Sequence, residues 1–164
     1  MADGSHRKLA EDVLTAARSK KLKIATAESC TGGLVSGALT DIPGSSDVVD
    51  RGFVTYSNEA KMQMLGVPAH TLEQHGAVSE QTARAMADGA LAHALADLSV
   101  SITGVAGPGG GTDAKPVGLV HFAAARKGHA TIADKHLFGD IGRSAIREKS
   151  VDVALTLLLR LASA

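Results

Sequence analysis

The spacing of apolar positions changes along the chain, and each change predicts an element. Leu9, Val13, Leu14, Ala16 and Ala17 recur at helical intervals over 5–20, closed by a basic run from Arg18 to Lys23. Positions 22–26 are short, apolar and partly β-branched, which predicts a strand. Helical spacing returns at Leu34, Val35, Ala38 and Leu39 and runs to Asp41, with Ser29 or Thr31 as candidate caps. Pro43-Gly44 predicts a turn, and Val49, Phe53 and Val54 supply the apolar content of a strand over 48–56. A short helix over 59–65 ends at Gly66, with Asn58 as its candidate cap, and 72–77 has room for a single turn. Ser79 to Thr82 opens a long helix to about 96, interrupted only by Gly89.

Leu98 to Thr103 alternates apolar and polar residues, which predicts a strand. Five Gly and two Pro exclude regular structure from 104–116. Two antiparallel strands follow over 117–126 and 131–138, and a last helix over 144–162. Helices and strands in this order predict an α/β fold, a three-layer α/β/α sandwich on a mixed sheet, with 1–164 as one domain.

Composition narrows the function. The hydrophobic fraction is 45% but aromatics are only 2%, so the core is aliphatic and stacking platforms for bases are scarce. Lys+Arg and Asp+Glu balance at 17 each, so no basic field argues for nucleic acid. One Cys excludes an internal disulfide, no apolar run reaches membrane-spanning length, and Met1–Ser5 lacks the apolar core of a secretory signal. A cytoplasmic protein is expected.

Candidate chemistry collects between 25 and 61, in Glu28-Ser29-Cys30-Thr31-Gly32-Gly33, Pro43-Gly44-Ser45-Ser46 and Tyr56-Ser57-Asn58 with Lys61. No GxxxxGK[ST] occurs, and Thr112 stands where GxGxxG needs its last Gly. What remains at 107–112 is a run of backbone amides that can wrap a phosphate or form a mobile connection. The seven His include no close ligand pair, so no metal site is expected. Cys30 fits either a thiolate nucleophile at a helix start or, the commoner fate, a buried structural thiol. Ser45 and Ser46 fit turn chemistry; a nucleophile there needs a base, which Lys61 can supply once burial lowers its pKa.

Taken together, AESCTGG, PGSS, YSNEAK, LGV, GAVSE, GVAGPGGGTDAKPVG and a terminal Arg-x-x-Ile-Arg resemble the CinA C-terminal domain family, in order from about Leu9 to Leu161. The stand-alone members it resembles are nicotinamide-nucleotide amidases, so the resemblance implies hydrolysis of nicotinamide mononucleotide to the acid and ammonia. It implies a small-molecule nucleotide substrate, no cofactor and a homo-oligomer, a dimer first. Carried over residue by residue, Ser46 matches the nucleophile, Lys61 the base and Tyr56 an assisting hydroxyl. Ser29, Thr31, Gly32 and Gly33 match a second wall of the site, and Gly107, Gly110, Gly111 and Thr112 its glycine-rich loop. Arg143 matches a basic residue, although the family's Phe-x-Gly-Asp-Arg is here Phe138-Gly139-Asp140-Ile141-Gly142-Arg143. A catalytically silent nucleotide-binding domain and an amidase acting on another small amide are the alternatives.

Overall fold

A computed structural model describes residues 4–164, with side chains from His6 onward; the reading of Met1–Asp3 for a signal lies outside the described residues. In chain order the elements are α1 (Gly4–Ser19), β1 (Ile24–Glu28), α2 (Leu34–Thr40), β2 (Val49–Val54), α3 (Asn58–Leu65), α4 (Ala69–His75), α5 (Glu80–Ala92), β3 (Leu98–Gly104), β4 (Leu119–Arg126), β5 (Ile132–Leu137) and α6 (Arg143–Ala162). A single 3-10 turn, Ser45–Asp47, precedes β2.

The strands form one mixed sheet in the order β2-β1-β3-β4-β5. β1 runs parallel to both β2 and β3, and β4 is antiparallel to its neighbours β3 and β5. α1, α2 and α6 cover one face, where Val13, Leu14, Val35, Leu39, Leu155 and Leu158 pack on Ile24, Val100, Ile102 and Phe122. α3, α4 and α5 cover the other, with Leu65, Leu72, Met86 and Ala90 against Ala25 and Ala27. The α/β/α sandwich is as expected from the periodicity.

Four local expectations change. β1 lies two residues later than 22–26, because Ala27 and the polar Glu28, both fully buried, belong to it. The single turn expected at 72–77 is the helix α4, opening on Pro68, and α5 stops at Ala92 rather than near 96. The cap of α3 is Ser57, whose Oγ accepts from Ala60 N at 3.0 Å, not Asn58. The polar positions of β3 do not face water. Ser99, Ser101 and Thr103 donate to the carbonyls of Ala87, Ala83 and Ala77, binding the sheet to α5 and the segment before it. Alanines at 83 and 87 keep that helix close enough for the bonds.

Candidate active site

Three parallel strands deliver their C-terminal ends to one place, the end of an open α/β sheet where ligands bind. Ser29 follows β1, Thr55 and Tyr56 follow β2, and Thr103-Gly104 closes β3. Ser29 N still donates to Ile102 O at 2.9 Å, so the serine is fixed to the sheet's edge of exit rather than carried on a loose loop. The chain then turns sharply through Gly32 and Gly33, at φ +56° and +110°, into α2. Glu28, the last residue of β1, is fully buried. Its carboxylate accepts from Thr31 Oγ1 at 2.6 Å, Val35 N at 2.9 Å and Ser36 N at 3.0 Å.

Lys61 comes from the first turn of α3 and is 1% exposed. Its Nζ donates to Thr55 O at 2.8 Å and stands 3.1 Å from Ser29 Oγ. Burial pushes the lysine pKa below its ordinary 10.5, and the neighbouring Cys30 pulls weakly the other way. Among the described residues no carboxylate pairs with it, and the positive end of α3 adds to the cost of its charge. A neutral amine donating to Thr55 O presents its lone pair to the Ser29 hydroxyl, which makes Ser29 and Lys61 a nucleophile–base pair in geometry.

The pair opens on a cavity of about 280 Å³ lined by Ala77-Val78, by Val105-Ala106-Gly107 and by Gly109-Gly110. Arg143, at the start of α6, closes its mouth. One guanidinium nitrogen donates to Gly107 O at 2.7 Å and another to Tyr56 Oη at 2.9 Å. Gly107 is packed on Val117, whereas Gly109 and Gly110 have open space where a Cβ would stand, so the loop's backbone is accessible to a ligand.

Of the residues expected at the site, Ser29, Tyr56, Lys61, Gly107, Gly110 and Arg143 line this cavity. Ser46 does not. It is exposed in the 3-10 turn that enters β2, beside the Arg18–Asp47 ion pair, at the opposite end of the sheet. Lys61 follows the exit of β2, and a six-residue strand spans about 20 Å. Ser46 and Lys61 therefore cannot meet. Thr31 turns its hydroxyl to Glu28, and Gly32 and Gly33 lie behind Cys30 against Arg147 and Val54, so these three shape the turn and do not face the cavity. Gly111 and Thr112 lie on the loop's outer side, where Thr112 Oγ1 accepts from Lys115 N.

Sequence reasoning missed the Thr55 carbonyl, Val105-Ala106 and Ala77-Val78. The last two pairs sit inside motifs already singled out, but apolar residues carry no chemical label. Cys30 also lines the cavity; burial pushes its thiol up to about 11, so it is not a thiolate at neutral pH.

The sequence profile of the CinA C-terminal domain matches residues 6–162. A nicotinamide-nucleotide amidohydrolase PncC of Escherichia coli K12 is 50% identical over 159 residues, 96% of this chain and 95% of that protein. A putative competence-damage inducible protein of Caldicellulosiruptor bescii is 51% identical over 94% of this chain, which spans only 38% of that longer relative. Among solved structures, the competence/damage inducible protein CihA of Agrobacterium tumefaciens superposes with TM-score 0.96 at 51% identity, covering 98% of each chain. A CinA superfamily protein of E. coli superposes with TM-score 0.91 at 37% identity, covering 98% of this chain and 93% of that one.

Proposed function

The chain belongs to the CinA C-terminal domain family, and from that premise we propose that it hydrolyses the carboxamide of nicotinamide mononucleotide with Ser29 as nucleophile and Lys61 as base. The observation that carries the reading is the 3.1 Å approach of a buried, acid-free lysine to a serine hydroxyl at the floor of a small cavity. The name of the full-length E. coli relative, a nicotinamide-nucleotide amidohydrolase, gives the substrate.

Neutral Lys61 takes the Ser29 proton as Oγ attacks the carboxamide carbon. Thr55 O holds the resulting ammonium in place. Protonated Lys61 then gives its proton to the amide nitrogen, ammonia leaves, and an ester on Ser29 remains. Water, deprotonated by the same amine, attacks the ester, and Lys61 returns that proton to Ser29 Oγ as the carboxylic acid leaves. Arg143 and the amides of the glycine-rich loop take the 5′-phosphate, while Tyr56 sets the direction of the guanidinium. The protein works as a cytoplasmic homodimer. Among the described residues no helix is long and apolar enough to cross a membrane.

Ammonia release from nicotinamide mononucleotide, nicotinamide riboside and simple amides tests the reading. Ser29→Ala lowers kcat by about 10⁴-fold and Ser46→Ala leaves it within about twofold, since only the first removes the nucleophile. The riboside loses about 10- to 100-fold in kcat/KM, the worth of one charge-assisted hydrogen bond. Full turnover by Ser29→Ala, or none by the wild type on any of these amides, refutes the proposal.

A further inference from the structure

The terminal Arg-x-x-Ile-Arg contains a second arginine for which the reaction above has no use. Arg147 sits one turn beyond Arg143 on α6, but it points behind the site. Its Nε donates to Cys30 O at 3.1 Å and an Nη to Thr31 O at 3.4 Å. Those are the two carbonyls that follow Ser29. Among the described residues no carboxylate pairs with this guanidinium, so its contacts are with the turn and not with an acid.

The turn needs such support. Gly32 and Gly33 both have positive φ, so neither restricts the backbone that leaves Ser29. α2 has only seven residues, and its first residue is preceded by a glycine that offers no side-chain cap. A helix that short does not order itself. The donors at its start, Val35 N and Ser36 N, instead go to Glu28, which also takes the Thr31 hydroxyl. Glu28 therefore collects donors of the turn and Arg147 collects its acceptors, with no hydrogen bond or ion pair between the two.

We propose that Glu28 and Arg147 are positioning residues that clamp the Ser29–Gly33 turn and hold Ser29 Oγ on Lys61 Nζ. The inference rests on Ser29 being the nucleophile. Neither residue lines the cavity, and the Lys61 amine bonds Ser29 Oγ and Thr55 O rather than either of them. Losing the clamp therefore reduces the fraction of productive geometry and leaves the titration of the base alone.

A cavity of about 400 Å³ between α1, α2 and α6 makes this testable by chemical rescue. Arg147 lines it together with Leu34, Ala38, Ser144 and Val151, so truncating the side chain opens its guanidinium position to small solutes. In the full chain, Arg147→Ala lowers kcat on nicotinamide mononucleotide by about 100-fold and changes KM by less than about threefold, the signature of a misplaced reacting group. Ethylguanidinium restores at least about tenfold of the loss, tetramethylammonium at equal ionic strength does not, and the acid limb of the kcat–pH profile stays in place. Glu28→Gln, whose amide nitrogen would face the Ser36 N–H, lowers kcat in the same way and is not rescued.

Wild-type kcat in folded Arg147→Ala, or a loss that guanidinium does not restore, overturns the clamp. Should that variant not fold, Arg147→Lys carries the test: one point charge cannot serve both carbonyls, so its kcat falls, and an undiminished kcat overturns the proposal. Ser29→Ala run beside these separates the two ideas. If Ser29→Ala turns over normally, the nucleophile is wrong. If it is inactive while Arg147→Ala is unimpaired, only the clamp is wrong.

Discussion

Replacing Lys61 with methionine removes the base while keeping the shape of the side chain, and it should make the protein inactive and more stable at once. In the unfolded chain the lysine carries its proton up to its ordinary pKa of 10.5. In the folded protein it is 1% exposed with a carbonyl and a hydroxyl as its polar neighbours. Folding at pH 7 must release the proton or bury the charge, and the first route sets a ceiling of about 5 kcal/mol on the cost of either. Methionine avoids that cost but leaves Thr55 O without its donor, a loss of about 1–3 kcal/mol. The net expectation is a gain of about 2 kcal/mol, or a rise in Tm of about 4–8 °C for a chain of this size. Turnover falls by about 10⁴-fold, since the serine has lost its proton acceptor.

The pH dependence gives the decisive reading. Because burial lowers the folded pKa of Lys61, the unfolded chain binds more protons than the folded one between that lowered value and 10.5. Wild-type stability attributable to this residue is lowest below the folded pKa and recovers as pH rises toward 10.5. The variant lacks the group, so its advantage should be constant at low pH and shrink on the alkaline side. Urea denaturation at intervals from pH 6 to about 10 measures the gap. A methionine variant that is less stable at pH 7, with a gap indifferent to pH, would show that Lys61 rests comfortably as an ammonium and cannot be the base. The activity of the wild type should rise with pH through the same folded pKa, since only the neutral amine accepts the serine proton.

Two further outcomes follow from the packing around the pair. Cys30→Ala should keep kcat within about threefold, and in the wild type the thiol, pushed up to about 11, should react with iodoacetamide negligibly at pH 7 and faster toward pH 10; rapid labelling at pH 7 with loss of activity would return the thiol to consideration. Gly89→Ala should lower stability by about 1–3 kcal/mol in spite of alanine's helix propensity, because its Cβ would run into the Leu65 carbonyl at the end of α3; an unchanged urea midpoint would mean that α3, and Lys61 with it, is not held against α5.

The fold was legible wherever one face of an element is apolar and the other meets water. α1, α5 and α6 follow directly from such spacing. Misreadings fall where polar side chains are buried, since burial of a satisfied polar group leaves no hydrophobic mark. Glu28 falls beyond the strand expected over 22–26, yet it is the buried last residue of β1, its carboxylate satisfied by the turn that follows. Ser99, Ser101 and Thr103 look like a solvated strand face and are hydrogen-bonded into α5 and the residues before it. In both places the partner is backbone of a neighbouring turn or helix, and such bonds leave no periodicity in the sequence.

The choice of serine was the larger error, and topology alone could have corrected it. Ser46 and Lys61 are close in sequence and carry the right chemistry, but one stands before β2 and the other after it. Residues that flank a single strand lie at opposite ends of a sheet, whatever their side chains. Ser29 and Lys61 are twice as far apart along the chain, yet each follows the exit of a strand, and β1 and β2 are parallel neighbours. Two residues that leave adjacent parallel strands share one end of the sheet, and that end is where open α/β sheets bind their ligands. Given the strands and a helix between them, which makes a parallel pairing the natural one, Ser29 was the only serine of the two able to reach the lysine. Chemical suitability picked out Lys61, which does line the cavity, because a single lysine stood in the motif. It failed for the nucleophile because several hydroxyls did, and only their position relative to the strands tells them apart.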